Sequence, residues 1–246
     1  MADDAKTKFE RIHDKRIYFD EDRYDKPKEI FKVLAERALQ SDVLRDGSRV
    51  VDIGCATGEF LYHLSGRFPK ADYHGYDPVS KFIEQAKERV SGAQFSVGSV
   101  LDRSLLPVNS VDVAFLIGVH PMFDEFETCF SNLLHWTRKG GRIYVYTIFN
   151  PFPIDVWVYY RRIDDPDPNR RETGWNMFSE ASTSRFLDAA IGRGKHTFTS
   201  FELPFDLPPH PDDLVRTWTF RDGQGKRLFT NGLSLICRFE ILEIRP

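Results

Sequence analysis

Two acids and the glycine turn between them are the residues whose types and spacing could do chemistry. In VVDIGCATGEF, residues 50–60, an apolar run ends in Asp52 and is followed by Gly54, Cys55, Ala56, Thr57 and Gly58. Glycines at such a turn let the backbone approach a ligand closely. A second acid, Asp77, lies 19 residues after Gly58 at the end of the next apolar segment. A carboxylate there can accept hydrogen bonds from both hydroxyls of a ribose, so the pair points to a nucleoside-containing ligand.

What is missing narrows that ligand. A G-x-G-x-x-G fingerprint starting at Gly54 needs glycine at positions 56 and 59, which hold Ala56 and Glu59, so a dinucleotide is disfavoured. No Gly-Lys-Ser/Thr follows Gly54, which disfavours a nucleotide held in a Walker-type loop. Asp52 and Glu59 place negative charge where a pyrophosphate would otherwise sit. A nucleoside with no phosphate and a cationic end suits the pocket, and S-adenosylmethionine has that form.

The elements that must position these residues follow from periodicity. Short β-branched or apolar runs begin at Arg49, at residues 73–77 and 93–97, at 111–119 and at 142–148, and read as strands buried on both faces. Helical patterns alternate with them over Phe60–Arg67 and Ser80–Val90, and around Phe126, Cys129, Phe130, Leu133 and Leu134. Strand, helix, strand, helix implies a parallel sheet with helices on both faces and a ligand crevice beyond the strands' carboxyl ends. Asp25 and Pro27 suggest the start of an earlier helix running to about Leu39. In the tail, Ser182 would cap a helix over Thr183–Ala190 ended by Gly192 and Gly194, residues 196–203 alternate as a strand, RTWTF and KRLFT suggest a hairpin, and LICRFEILEI a last strand. Residues 1–28 carry 16 charged side chains and read as an arm; residues 29–246 form one domain, and the aromatic-rich stretch 149–181 reads as an insertion.

Over residues 45–148 the motif order resembles the class I S-adenosylmethionine-dependent methyltransferases. VVDIGCATGEF looks like their first motif, GYDPVS like the acidic turn after strand two, FSVGSVLD like the adenine loop after strand three, and VDVAFLIGVH and LLHWTRKGGRIYVYT like strand four and the glycine turn into strand five. The resemblance implies an α/β, three-layer Rossmann-like sandwich with a mostly parallel seven-stranded sheet. Its last strand is antiparallel, the hairpin and LICRFEILEI complete it, and the insertion follows strand five. It also implies that Asp52, Gly54, Cys55, Ala56, Thr57 and Gly58 surround the methionyl portion, Asp77 and Pro78 the ribose, and Ser99, Val100, Leu101 and Asp102 the adenine, with Ile117 closing the pocket. Ser99 stands where many relatives carry an acid, and Asp102 is the substitute at hand.

Other residues have a functional and a structural reading. His120 follows the fourth strand and could take a proton from an acceptor, or simply cap the strand. HPMF at 120–123 superficially looks like the x-P-P-Y element of amino-methyltransferases, but His120 lies eight residues beyond Asp112 rather than about five. Trp157, Tyr159 and Tyr160 could wall an acceptor or form a satellite core; Tyr18, Phe19 and Tyr24 could fold over the cofactor as a lid. Cys55 is expected to be a small turn residue rather than a nucleophile, and His135 to be structural. Asp164, Asp165 and Asp167 read as a solvated turn rather than metal ligands, and Arg161, Arg162, Arg170 and Arg171 as surface charge or an anion site.

Composition sets the function classes. In 246 residues, 41% hydrophobic and 29% charged, a buried core is expected. The formal charge of −3 gives no long-range field for nucleic acid. Three widely spaced cysteines fit reduced thiols and a cytoplasmic setting, and no apolar run is long enough for a membrane span. The expected function is methyl transfer to a small-molecule acceptor, on oxygen of a glycan precursor or secondary metabolite, without metal. A regulatory cofactor-binding protein and an RNA or protein methyltransferase are the alternatives.

Overall fold

In a computed structural model, Tyr18 and residues 23–163, 165–209, 215–233 and 236–246 are described. Five parallel strands form one half of the main sheet: β1 (Arg49–Ile53), β2 (Asp72–Asp77), β3 (Gln94–Val97), β4 (Val111–Ile117) and β5 (Thr137–Asn150). Helices α1 (Glu29–Gln40), α2 (Glu59–Arg67), α3 (Ser80–Arg89) and α4 (Glu127–Trp136) precede or connect them. Past β5 come the two-residue strands β6 (Tyr159–Tyr160), β7 (Glu172–Thr173) and β8 (Phe178–Ser179), then α5 (Glu180–Ile191), β9 (His196–Phe201), β10 (Trp218–Arg221), β11 (Arg227–Thr230) and β12 (Arg238–Ile244).

The sheet order is β3-β2-β1-β4-β5-β12-β9, with β8 paired to the end of β5. β12 runs antiparallel to both of its neighbours, as expected of the last strand. The hairpin β10–β11 does not join the sheet; beyond its own pairing it makes one isolated antiparallel bridge, Phe229 to Cys237, and the Phe229 ring docks edge-on against Phe239 at 4.8 Å. The sixth long strand is instead β9, so the 196–203 segment completes the sheet.

Alternation along each strand makes the three layers, because successive side chains leave opposite faces. Val50, Val113, Phe115, Tyr144 and Ile241 pack under α1, α2 and α3, while Val51, Ala114, Leu116, Val145 and Leu242 pack under α4 and α5. Phe60 of α2 illustrates the first layer: its ring lies 4.7 Å from Phe115 and 5.5 Å from Phe31. Burying side chains of this size contributes about 1.5–3 kcal/mol each.

Two helix starts differ from the expected ones. α1 is capped at Lys28, not Asp25, and the capping side chain of α5 is Ser179, whose hydroxyl accepts from Ser182 N at 2.9 Å. Ser182 is thus the third residue of the first turn, and its own hydroxyl donates to Asp155 at 2.7 Å.

Candidate active site

A cleft opens at the carboxyl edge of β1, β2, β3 and β4, where the turns that follow these strands converge. Gly54 makes the sharpest of them: φ is +79°, and a Cβ there would lie 2.3 Å from Cγ2 of Val119. Only glycine combines that conformation with that clearance. The amides of Gly54 and Cys55 both donate to the carbonyl of Tyr76, at 2.6 and 3.0 Å, folding the turn over the end of β2. Asp77 then joins the turns, because its carboxylate accepts from Ala56 N at 3.0 Å and from Val79 N at 2.9 Å. These donors use two of the roughly four lone-pair positions of a carboxylate.

Of the residues expected around a cofactor, Gly54, Ala56, Asp77, Pro78, Ser99, Val100 and Ile117 line the cleft. Asp52, Cys55, Thr57 and Gly58 lie behind it. Gly58 is a glycine for packing, since a Cβ would meet the Phe95 ring at 2.8 Å. Burial, and then Asp52 and Asp77, push the Cys55 thiol up, so it is no nucleophile. Leu101 and Asp102 stay outside. Asp102 is exposed and accepts from the amide and hydroxyl of Ser104 at 2.9 and 2.7 Å, capping a turn of 3-10 helix at Arg103–Leu105 instead of facing a purine.

Beneath the loop the electrostatics are one-sided. Asp52 is fully enclosed, and burial first, then Asp77 and Glu59, hold its carboxyl well above the usual carboxylate range. Asp52 Oδ1, Thr57 Oγ1 and Glu59 Oε1 are buried without a hydrogen-bond partner among the described residues. An approaching cation would relieve what burial imposes there.

His120 does not reach the cleft. It begins a 3-10 turn (His120–Met122), is fully buried, and stacks among Phe130, Phe149 and Phe178 at 5.2–5.9 Å between ring centroids. Neither ring nitrogen has a partner among the described residues, and burial lowers its pKa to about 3. A neutral imidazole sealed in an aromatic box cannot serve as the expected base.

Of the aromatics expected on the acceptor side, Tyr18 lines the cleft and Trp157, Tyr159 and Tyr160 do not. Trp157 donates from Nε1 to the Asp124 carbonyl at 2.8 Å, Tyr159 from its hydroxyl to Asp124 Oδ1 at 2.8 Å, and Tyr160 to Glu172 at 2.7 Å; none lines the cleft. Met122, Phe123 and Trp175 do, together with Tyr18, whose ring packs 5.1 Å from Phe82. Tyr24 lies beyond the cleft, bonding the Thr57 carbonyl at 2.6 Å, and Phe19 falls outside the described residues.

One buried side chain assembles this wall. Asn176 donates from its backbone N–H to the Pro121 carbonyl at 2.9 Å and from side-chain Nδ2 to the Phe123 carbonyl at 2.8 Å, while Oδ1 accepts from Val158 N at 2.9 Å. The clamp fixes the turn after β4 against the insertion and sets Trp175 in the cleft. Sequence reading missed Asn176, Trp175 and the neighbours Ile53, Val79, Phe82, Gly98, Gly118, Val119, Met122 and Phe123. The neighbours were within reach, being flanks of the motifs; for Trp175 and Asn176 there was no local signal.

The remaining candidates are structural. Asp165 and Asp167 accept from the amides two residues on, at 2.9 Å each, and among the described residues no group of three could hold a metal; Asp164 lies outside them. Arg170 pairs with Asp165 at 3.6 Å and Arg171 bonds local carbonyls. His135 meets Arg103 at 3.0 Å. No described helix is long and apolar enough to cross a membrane.

The strand order and the glycine turn after β1 define a Rossmann-like sandwich. Residues 50–141, just over a third of the chain, match the family model described as "Methyltransferase domain". The chain is similar to a fatty-acid O-methyltransferase of Mycolicibacterium smegmatis, 28% identical over 49% of this chain and 43% of that one. It is also similar to a trans-aconitate 2-methyltransferase of an Azoarcus species, 28% identical over 40% of this chain and 38% of the other. The chain thus spans less than half the length of these curated relatives. A methyltransferase structure from Aquifex aeolicus superposes with a TM-score of 0.53 at 15% identity, over 96% of this chain and all of that one, a likeness of fold.

Proposed function

We propose that the chain binds S-adenosylmethionine in the cleft beside Asp77 and transfers its methyl group to an oxygen of a small-molecule acceptor. The observation that carries this reading is the junction of Gly54 and Asp77: a turn only glycine can make, tied through Ala56 to an acid at the rim of the cleft. Asp77 would hold the ribose hydroxyls, the Gly98–Val100 turn the base, and the acidic ground under Gly54 the cationic end. The cofactor, when bound, supplies a methyl group on a sulfonium whose charge disappears on transfer.

What the chain itself contributes is alignment and exclusion of water. Among the described residues at the cleft, none is placed as a base: His120 is sealed away and Asp77 is engaged by two amides. An acceptor already ionised at neutral pH needs no base, which favours a carboxylate oxygen. Fatty acids and trans-aconitate, for which the similar enzymes are named, are such acceptors.

Calorimetry with S-adenosylhomocysteine tests the reading. Saturable binding is expected, weakened about a hundredfold in Asp77→Ala, on the scale of two hydrogen bonds to a charged group. No heat at saturating ligand, with the fold intact by circular dichroism, would defeat it.

A further inference from the structure

We infer that the acceptor is a lipophilic monocarboxylate, an acid carrying a long apolar body, and that Trp175 selects it; this rests on the methyl-transfer reading above. Tyr18, Met122, Phe123 and Trp175 line the cleft and are each half-buried. They arrive from three separate parts of the chain, which is more than one loop's accident of packing: the segment before α1, the turn after β4, and the insertion clamped by Asn176.

Charge argues the same way. Asp77 is the only acidic or basic side chain among the described residues that line the cleft, and Asp52 and Glu59 lie behind the Gly54 loop. A compact acid with two or three carboxylates would bring several negative charges to this cleft and find no arginine or lysine among the residues that line it. A monocarboxylate brings one, which the transfer itself neutralises: a carboxylate oxygen lone pair forms the new O–CH3 bond, the S–CH3 electron pair stays on sulfur, and sulfonium plus carboxylate become neutral sulfide plus neutral ester. Its apolar body meets the four-residue wall. Each methylene buried there is worth up to about fourfold in affinity, the equivalent of about 0.8 kcal/mol.

The test is equilibrium dialysis of the full chain loaded with S-adenosylhomocysteine against butyrate, octanoate, dodecanoate and trans-aconitate. Affinity should climb with chain length, dodecanoate binding at least tenfold more tightly than butyrate or trans-aconitate. Trp175→Ala should weaken dodecanoate about tenfold and Trp175→Phe less than threefold. Trans-aconitate binding as tightly as dodecanoate, no dependence on chain length, or dodecanoate affinity indifferent to Trp175→Ala would each overturn the assignment while leaving cofactor binding intact. If Trp175→Ala does not fold, the chain-length series on the unaltered protein still decides. Failure to bind S-adenosylhomocysteine at all would instead remove the methyl-transfer reading and this inference with it.

Discussion

The floor of the cleft and its wall are built by different physics. The floor is backbone: the Gly54 turn, the Tyr76 carbonyl that receives two amides, and Asp77 gripping the turns after β1 and β2. Its partners lie within about 30 residues of one another, on adjacent parallel strands. The wall is side chain, and its pieces come from residues 18, 122–123 and 175, of which the last two are joined through the buried Asn176. A floor made this way constrains a ligand common to many proteins; a wall made that way can change its acceptor by changing a few side chains, without disturbing the strands.

Gly54→Ala is the sharpest way to break the floor. The substitution forces an L residue into φ +79° and drives its methyl into Val119, which belongs to the turn after β4. Left-handed strain of roughly 1–2 kcal/mol adds to the steric overlap, for a total of about 3 kcal/mol. Urea denaturation should record that loss, and calorimetry a fall in S-adenosylhomocysteine affinity of more than tenfold. Unchanged stability would mean that Val119 simply moves aside and that the floor is softer than its geometry.

Asn176→Ala probes the wall alone. It leaves the Phe123 carbonyl and the Val158 amide without the partner they have now, at a cost of about 2 kcal/mol. Amide hydrogen exchange should quicken in residues 121–124 and 156–178 and stay as it was in residues 52–58. Faster exchange in both regions would show that floor and wall are one cooperative unit and dissolve the distinction.

The same division explains what could be read from the amino-acid order. The five parallel strands and their helices were legible because each signals locally, through β-branched runs of period two and apolar spacing of three and four. The floor was legible for the same reason, since Asp52, Gly54 and Asp77 end consecutive strands. The wall was not. Which of the insertion's aromatics faces the cleft depends on the bridge between Val156 and Met177, a long-range register with no local signature. Hence the sequence singles out Trp157, which hydrogen-bonds the Asp124 carbonyl outside the cleft, rather than Trp175, which lines it. The hairpin β10–β11 failed similarly: its turn chemistry at Asp222–Gly225 was visible, but not that it would cover Phe239 instead of extending the sheet.

His120 sits where floor and wall meet, and the smallest expected effect belongs to it. Gly118, at φ +72°, turns the chain after β4 so that His120 enters the layer under α4 and α5, among Phe130, Phe149 and Phe178. Its pKa in the folded protein is about 3, against an ordinary value near 6.5. Between those values the unfolded chain takes up a proton that the folded one refuses, so the neutral ring's contribution is complete above pH 6.5 and is lost as pH falls towards 3. His120→Phe removes both the titration and two buried nitrogens without partners. The variant should gain about 1 kcal/mol at pH 7 and should lose less stability than the unaltered protein on acidification from pH 6.5 to 5, by roughly 1–2 kcal/mol in urea titrations. Its pH profile for methyl transfer between pH 6 and 8 should match that of the unaltered protein. A limb of that profile that vanished with the imidazole would return His120 to the chemistry, and would require the aromatic box to open during turnover.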